Sequence, residues 1–115
     1  MKLLNRSGLS IRPRQPFADW ISSHAADAPS LEELRREAML YLINEVEQEQ
    51  DFIDAIDQHW QTIFRNELEA WDEFGDHWPT ELTLELFEQW FDLDVQLMTF
   101  DLSGEPLMLA NLKGA

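Results

Sequence analysis

Eight apolar residues between Gln50 and Phe74, namely Phe52, Ile53, Ile56, Trp60, Ile63, Phe64, Leu68 and Trp71, recur at helical spacing. A stripe of that length predicts one long amphipathic helix, and Gly75 followed by Pro79 predicts its stop. Such a helix needs its apolar face covered, so a second layer has to come from the rest of the chain. With 115 residues there is room for one domain of ordinary size, and an apolar content of 44% is that of a globular protein. Five Trp and seven Phe supply core material, each able to bury roughly 150 to 250 Å².

The second layer reads as a small sheet. Leu9, Ser10, Ile11 and Arg12 alternate apolar and polar before Pro13, which predicts a short edge strand on a basic N-terminal arm. Met39, Leu40, Tyr41, Leu42 and Ile43 form an apolar run too short for a helix and read as the central strand, buried on both faces. Val95 to Leu102 reads as the last strand, ended by Ser103, Gly104 and Pro106. Pro16 opens a short helix through Phe17, Trp20 and Ile21, and Ser30 with Glu33 has the spacing of a capping box. Thr83 is placed to cap a further helix whose broad apolar face carries Leu82, Leu86, Phe87, Trp90 and Phe91.

The expected fold is α+β: a single compact domain over residues 1–102, with a small three-stranded sheet packed against the long helix and shorter helices in the order β-α-(α)-β-α-α-β. Residues 103–115 form an apolar tail containing Leu107, Met108, Leu109 and Leu112. It reads as an added strand, an arm packed on the domain, or an arm exchanged with a second subunit in a homodimer.

The formal charge of −15 is concentrated. Residues 45–94 hold sixteen acids and one base, Arg65, whereas the remainder balances at seven acids against seven bases. A localised negative field repels nucleic acid and acidic membranes, so the expectation is no direct nucleic-acid binding, no membrane association, and a basic protein partner. The chain contains no Cys, hence no disulfide framework and no thiolate metal site, and it shows no secretory signal or membrane-length apolar run. A cytoplasmic protein is expected.

Candidate site residues are few. On a helical wheel Glu67 falls in the middle of the apolar stripe, between Ile63 and Trp71 and beside Phe64 and Leu68. A carboxylate there must pair, for instance with Arg12 or Arg14, accept hydrogen bonds, or take up a proton; fixing the packing of helix on sheet is the reading placed first. Asp72, Asp76 and His77 cluster near the helix end, but their spacing matches neither a zinc-protease helix nor a calcium loop, so no metal and no cofactor is expected. No nucleophile motif or Gly-rich phosphate loop is present, and no catalytic residue is assigned.

The pattern Asn5-Arg6-Ser7, Pro16-Phe17-x-x-Trp20, Tyr41-Leu42-Ile43, Ile63-Phe64-x-x-Glu67-Leu68-x-x-Trp71, Trp78-Pro79, Phe87-x-x-Trp90-Phe91 and Asp101-Leu102 covers nearly the whole chain. It resembles a family of small acidic bacterial proteins with no assigned activity. The resemblance implies a bacterial cytosolic protein and carries no site residues. Asn44 departs from the pattern, which has proline there.

The functional expectation is therefore a small binding or adaptor protein that engages a basic partner through the face built from residues 45–94. Trp78, Phe87, Trp90 and Phe91 would form an aromatic anchor and Asp72, Glu73, Asp76, Glu85 and Glu88 an acidic rim. Two alternatives accompany it. One is a nucleic-acid mimic that inhibits a DNA-binding protein. The long helix alone is too dilute for that: duplex DNA would place roughly 21 charges along the same length, against a net −6 from Asp51 to Phe74. The other is an enzyme using Glu67 or the Asp76 and His77 pair.

Overall fold

Strand β2 (Ser7–Pro13) runs through the middle of the molecule and carries the sheet. Residues 1–112 are described by a computed structural model. On one side β2 pairs antiparallel with β3 (Met39–Ile43), in a register that sets Leu9 opposite Tyr41 and Ile11 opposite Met39. On the other it pairs antiparallel with β4 (Phe91–Gln96), setting Leu9 opposite Val95 and Pro13 opposite Phe91. Ser7, Leu9, Ile11 and Pro13 point to one face and are all buried. Pro13 lies past the end of β3, where β2 has one neighbour only, so the strand tolerates a residue without an N–H.

This order inverts the expectation that Leu9–Arg12 would be an edge strand and Met39–Ile43 the central one. The apolar run of β3 lies at the sheet margin, with Leu40 58% and Leu42 53% exposed. The hydrophobic core that the helices close lies on the face that carries Leu9 and Ile11. Alternate residues of β3 therefore meet water whatever their hydropathy, because side chains alternate between faces and one face is left open.

Two further strands extend the β2–β4 ladder. A break at Leu97 and Met98 separates β4 from β5 (Thr99–Asp101), and Asn5 and Arg6 separate β2 from β1 (Lys2–Leu4). Strands β1 and β5 pair antiparallel as a two-stranded ribbon, with Leu3 opposite Phe100. Ser7, fully buried at the junction, donates from Oγ to the Leu97 carbonyl (2.9 Å) and accepts from the Val46 N–H (2.8 Å). Thr99 Oγ1 donates to the Arg6 carbonyl (2.7 Å). The two hydroxyls satisfy backbone groups that the interrupted ladder would leave unpaired.

The helices follow from local signals. Helix α1 (Gln15–Ser22) has Pro16 in its first turn and buries Phe17, Ala18 and Ile21. Helix α2 (Leu31–Arg36) opens on the Ser30–Glu33 capping box; acids in its first turn and Arg35 and Arg36 in its last suit the helix dipole. The long helix α3 (Glu49–Glu69) buries Ile56, Ile63, Phe64, Glu67 and Leu68, and its start is fixed by Asp51 accepting from the N–H groups of Glu47 and Gln48. Helix α4 (Leu84–Trp90) is capped by Thr83, whose Oγ1 accepts from the Leu86 N–H at 3.1 Å.

Three boundaries depart from the sequence reading. Helix α3 ends at Glu69 rather than near Phe74, because Asp72 and Gly75, the latter at φ 77°, turn the chain into a loop. Helix α4 stops at Trp90, and Phe91 is already extended at φ −137° and ψ 142°, so Phe87 and Phe91 belong to different elements. The single strand expected over Val95–Leu102 is two strands, β4 and β5.

The core closes around Phe17, Phe64, Phe87 and Phe91, drawn from α1, α3, α4 and β4, with Phe17 and Phe91 centroids 4.8 Å apart and Phe87 and Phe91 5.3 Å apart. Arg14 and Arg35 fasten the same region from outside. Arg14 Nη1 donates to the Glu88 carbonyl near the C-terminus of α4, and Arg35 Nη1 donates to the Pro13 carbonyl and to Asp92. The α+β architecture is as expected, a single compact domain of helices on a small antiparallel sheet. Among the described residues no helix is long and apolar enough to cross a membrane.

Candidate functional site

Glu67 sits on the sheet-facing side of α3 and is 6% exposed. Neither Arg12 nor Arg14 reaches it. Tyr41, the one polar side chain in the apolar run of β3, donates from Oη to Glu67 Oε2 at 2.7 Å, and Asn66 Nδ2 donates to the same Tyr41 oxygen at 2.8 Å. Burial raises the Glu67 carboxyl above the usual carboxylate range, and the Tyr41 hydrogen bond offsets part of that. Burial also raises the Tyr41 hydroxyl, the adjacent Glu67 charge adds to this, and the Asn66 bond opposes it. Glu67 lines a cavity of about 150 Å³ with Phe17, Leu34, Met39 and Trp71. The arrangement joins α3 to the sheet through a three-membered chain of hydrogen bonds, and it leaves a carboxyl that can exchange a proton against an apolar wall.

The loop after α3 is organised by Asp72. Its Oδ2 accepts from the His77 N–H at 2.6 Å and lies 3.6 Å from His77 Nδ1, and its carbonyl accepts from Trp78 Nε1 at 3.0 Å. Trp20 Nε1 donates to the His77 carbonyl at 2.8 Å, and the His24 and His77 rings stack with centroids 4.8 Å apart. Asp72 and His77 therefore fasten the loop to α1 instead of forming an open pair with Asp76, which is exposed. Among the described residues no group of three or more His, Asp or Glu side chains is placed to hold a metal ion.

The aromatic anchor expected from Trp78, Phe87, Trp90 and Phe91 does not form. Phe87 and Phe91 are buried in the core, and Trp78 and Trp90 are half-buried against it. The wide apolar face that suggested an anchor belongs to a helix and a strand that both turn inward. Of the acidic rim, the Asp72 side chain is only 8% exposed and serves the loop, while Glu73, Asp76, Glu85 and Glu88 are exposed. The aromatic residue most open to solvent in this half is Phe74, 83% exposed between Glu73 and Asp76 and presented by the turn at Gly75, with Trp71 less exposed.

Fourteen of the sixteen acids in residues 45–94 are exposed. Among the described residues only Asp92 of these fourteen meets an arginine, at 2.7 Å from Arg35 and 3.7 Å from Arg14. Glu45, Asp51 and Asp54, with His59, line a groove of about 180 Å³ between the start of α3 and the segment that follows β3. The negative field is thus a surface property left largely unneutralised by the protein itself.

Sequence reasoning missed Tyr41 as the partner of Glu67, Ser7 as the junction pin and Phe74 as an exposed residue. A lone tyrosine in an apolar strand signalled the first. Nothing local distinguishes Ser7 from the other serines.

Comparison with known proteins finds no matching family model, no similar curated protein and no similar solved structure. The resemblance to small acidic bacterial proteins rests on the residue pattern alone.

Proposed function

We propose that this chain is a binding protein that engages a basic protein partner through the acidic surface of residues 45–94. The observation that carries this reading is the set of exposed carboxylates left without cations of their own, which includes Glu45, Asp51 and Asp54 around a groove able to take a lysine or arginine side chain. Phe74, flanked by Glu73 and Asp76, supplies the apolar contact that the core aromatics do not. Charge complementarity steers the encounter, and the apolar tip adds desolvated area that holds the complex once formed.

The test is affinity capture of partners by the intact chain at low and high salt, beside an Asp51→Asn/Asp54→Asn/Asp57→Asn variant and Phe74→Ala. The expected outcome is a basic partner that is lost at high salt and with the charge variant, and weakened by Phe74→Ala, since screening lengths shorten from about 10 Å at 0.1 M to about 3 Å at 1 M salt. A partner retained equally at high salt and by the charge variant would refute the reading. If the captured partner binds DNA and releases it when this protein is added, the acidic surface acts as a nucleic-acid mimic.

A further inference from the structure

Exposed apolar surface and net charge occupy different parts of this chain. Of the sixteen large apolar side chains that stand exposed among the described residues, only Ile53, Trp71 and Phe74 fall within residues 45–94; the other thirteen lie in the segments where acids and bases balance. Leu40 and Leu42 project from the uncovered face of the sheet, where Leu40 leans over Gly8. Leu3 and Phe100 face each other across the β1–β5 ribbon and are both exposed. From residue 103 to 112 the chain runs without strand or helix, and Leu107, Met108, Leu109 and Leu112 are between 68% and 90% exposed. This projecting segment agrees with a radius of gyration of 15.4 Å, against about 13 Å for a compact domain of this length.

We propose that the segment 106–112 is an exchange arm that docks on the free edge and open face of β3 in a second copy of this chain, giving a closed two-fold dimer. Three observations select that occupant. The first is charge: two copies that each carry −15 repel each other least where their balanced segments meet, and those segments hold most of the exposed apolar surface. A basic partner would instead be drawn to residues 45–94.

The second observation is topological. The arm leaves from β5, which pairs only with β1 in a separate ribbon, and among the described residues the outer edge of β3 has no strand partner. Extended at about 3.3 Å per residue, the stretch from Leu102 to Leu112 reaches roughly 36 Å, longer than the two shorter dimensions of the 43 × 33 × 29 Å molecule. An arm laid antiparallel or parallel to β3 completes its hydrogen bonding, and Leu107, Leu109, Met108 and Leu112 alternate so that both of its faces are apolar.

The third is area. Burying a Leu, Met or Phe removes roughly 60 to 120 Å² of apolar surface at 25 cal/mol per Å². Leu3, Leu40 and Leu42 with the four apolar side chains of the arm together offer on the order of 400 to 850 Å² per copy, close to the roughly 800 Å² that each partner contributes to a stable interface. Exchange by two copies makes the contact self-complementary and closed, so it stops at a dimer.

The experiment is sedimentation equilibrium on the intact chain over the micromolar range, with Leu109→Lys in the arm and Leu42→Lys at its seat. The expected result is a mass twice the 13.5 kDa of the chain, falling twofold in either variant with the circular dichroism spectrum unchanged. Because the chain has no cysteine, mixing Leu42→Cys and Leu109→Cys proteins under oxidation reports where the arm sits. A disulfide between the two proteins is expected. A 13.5 kDa species at every concentration overturns the proposal, as does a dimer that survives Leu109→Lys, or a Leu42→Cys/Leu109→Cys protein that closes its disulfide within one chain.

Discussion

Replacing Tyr41 with phenylalanine isolates the Glu67 contact, since it deletes one oxygen and leaves the ring in place. That oxygen donates to Glu67 at 2.7 Å and accepts from Asn66 at 2.8 Å. Asn66 is exposed and turns to water, so the loss falls on the buried carboxyl. A hydrogen bond to a charged group contributes about 1.5–3 kcal/mol and one to a neutral group about 0.5–1.5 kcal/mol. The cost of Tyr41→Phe therefore depends on the protonation of Glu67.

The sign follows from the environment. Burial raises the folded-state pKa of Glu67 above its unfolded value, so its favourable contribution is complete below the unfolded pKa of about 4.3 and is lost as pH rises through the folded pKa. The Tyr41 bond counters that rise, and removing it enlarges the loss. Tyr41→Phe should cost about 1 kcal/mol at low pH, where Glu67 is protonated, and about 1.5–3 kcal/mol once rising pH has ionised it, read as urea unfolding by Trp fluorescence. Glu67→Gln, which still accepts from Tyr41 but carries no charge, should flatten the dependence. A Tyr41→Phe cost that stays constant or shrinks as pH rises would show that Glu67 is not the group being solvated by Tyr41.

Other substitutions test other parts of the fold. Ser7→Ala leaves the Val46 N–H and the Leu97 carbonyl unpaired in a buried junction; the expected cost is about 2–4 kcal/mol, with hydrogen exchange at Val46 accelerated more than in α4. Phe87→Ala should destabilise by about 3–5 kcal/mol because Phe87 is core, and a cost under about 0.5 kcal/mol would restore it as a surface anchor. Asp92→Asn removes contacts to two half-exposed arginines and should change stability by less than about 1 kcal/mol in thermal unfolding.

The α+β architecture was legible because each helix carries a complete local signal. The stripe from Phe52 to Leu68, the Ser30–Glu33 box and the Thr83 cap are all short-range, and all three helices appear where those residues place them. Strand order was not legible. Hydropathy reports how apolar a strand is, and Met39–Ile43 is more apolar than Ser7–Pro13, yet the strand with two neighbours is the one whose far face carries Gly8 and Ser10. The helix-to-strand switch at Phe91 was hidden for a related reason: Phe87, Trp90 and Phe91 satisfy a helical period although the last of them begins β4. Glu67 could be identified as misplaced within its stripe, but its partner lies on a strand far away in sequence, so choosing Tyr41 over Arg12 or Arg14 required the tertiary fold.

The pairing of β2 with β4 and of β1 with β5 joins segments far apart in the sequence. Gly8 has no sheet partner on that side until Gln96 exists, so the growing chain carries an unsatisfied strand, with the apolar β3 beside it, until the residues of β4 are made. Non-local closure of this kind is slow and leaves intermediates prone to aggregation. The residues that emerge during that interval are the acidic ones from 45 to 94, and their mutual repulsion keeps unfinished chains apart until β4 arrives to complete the sheet.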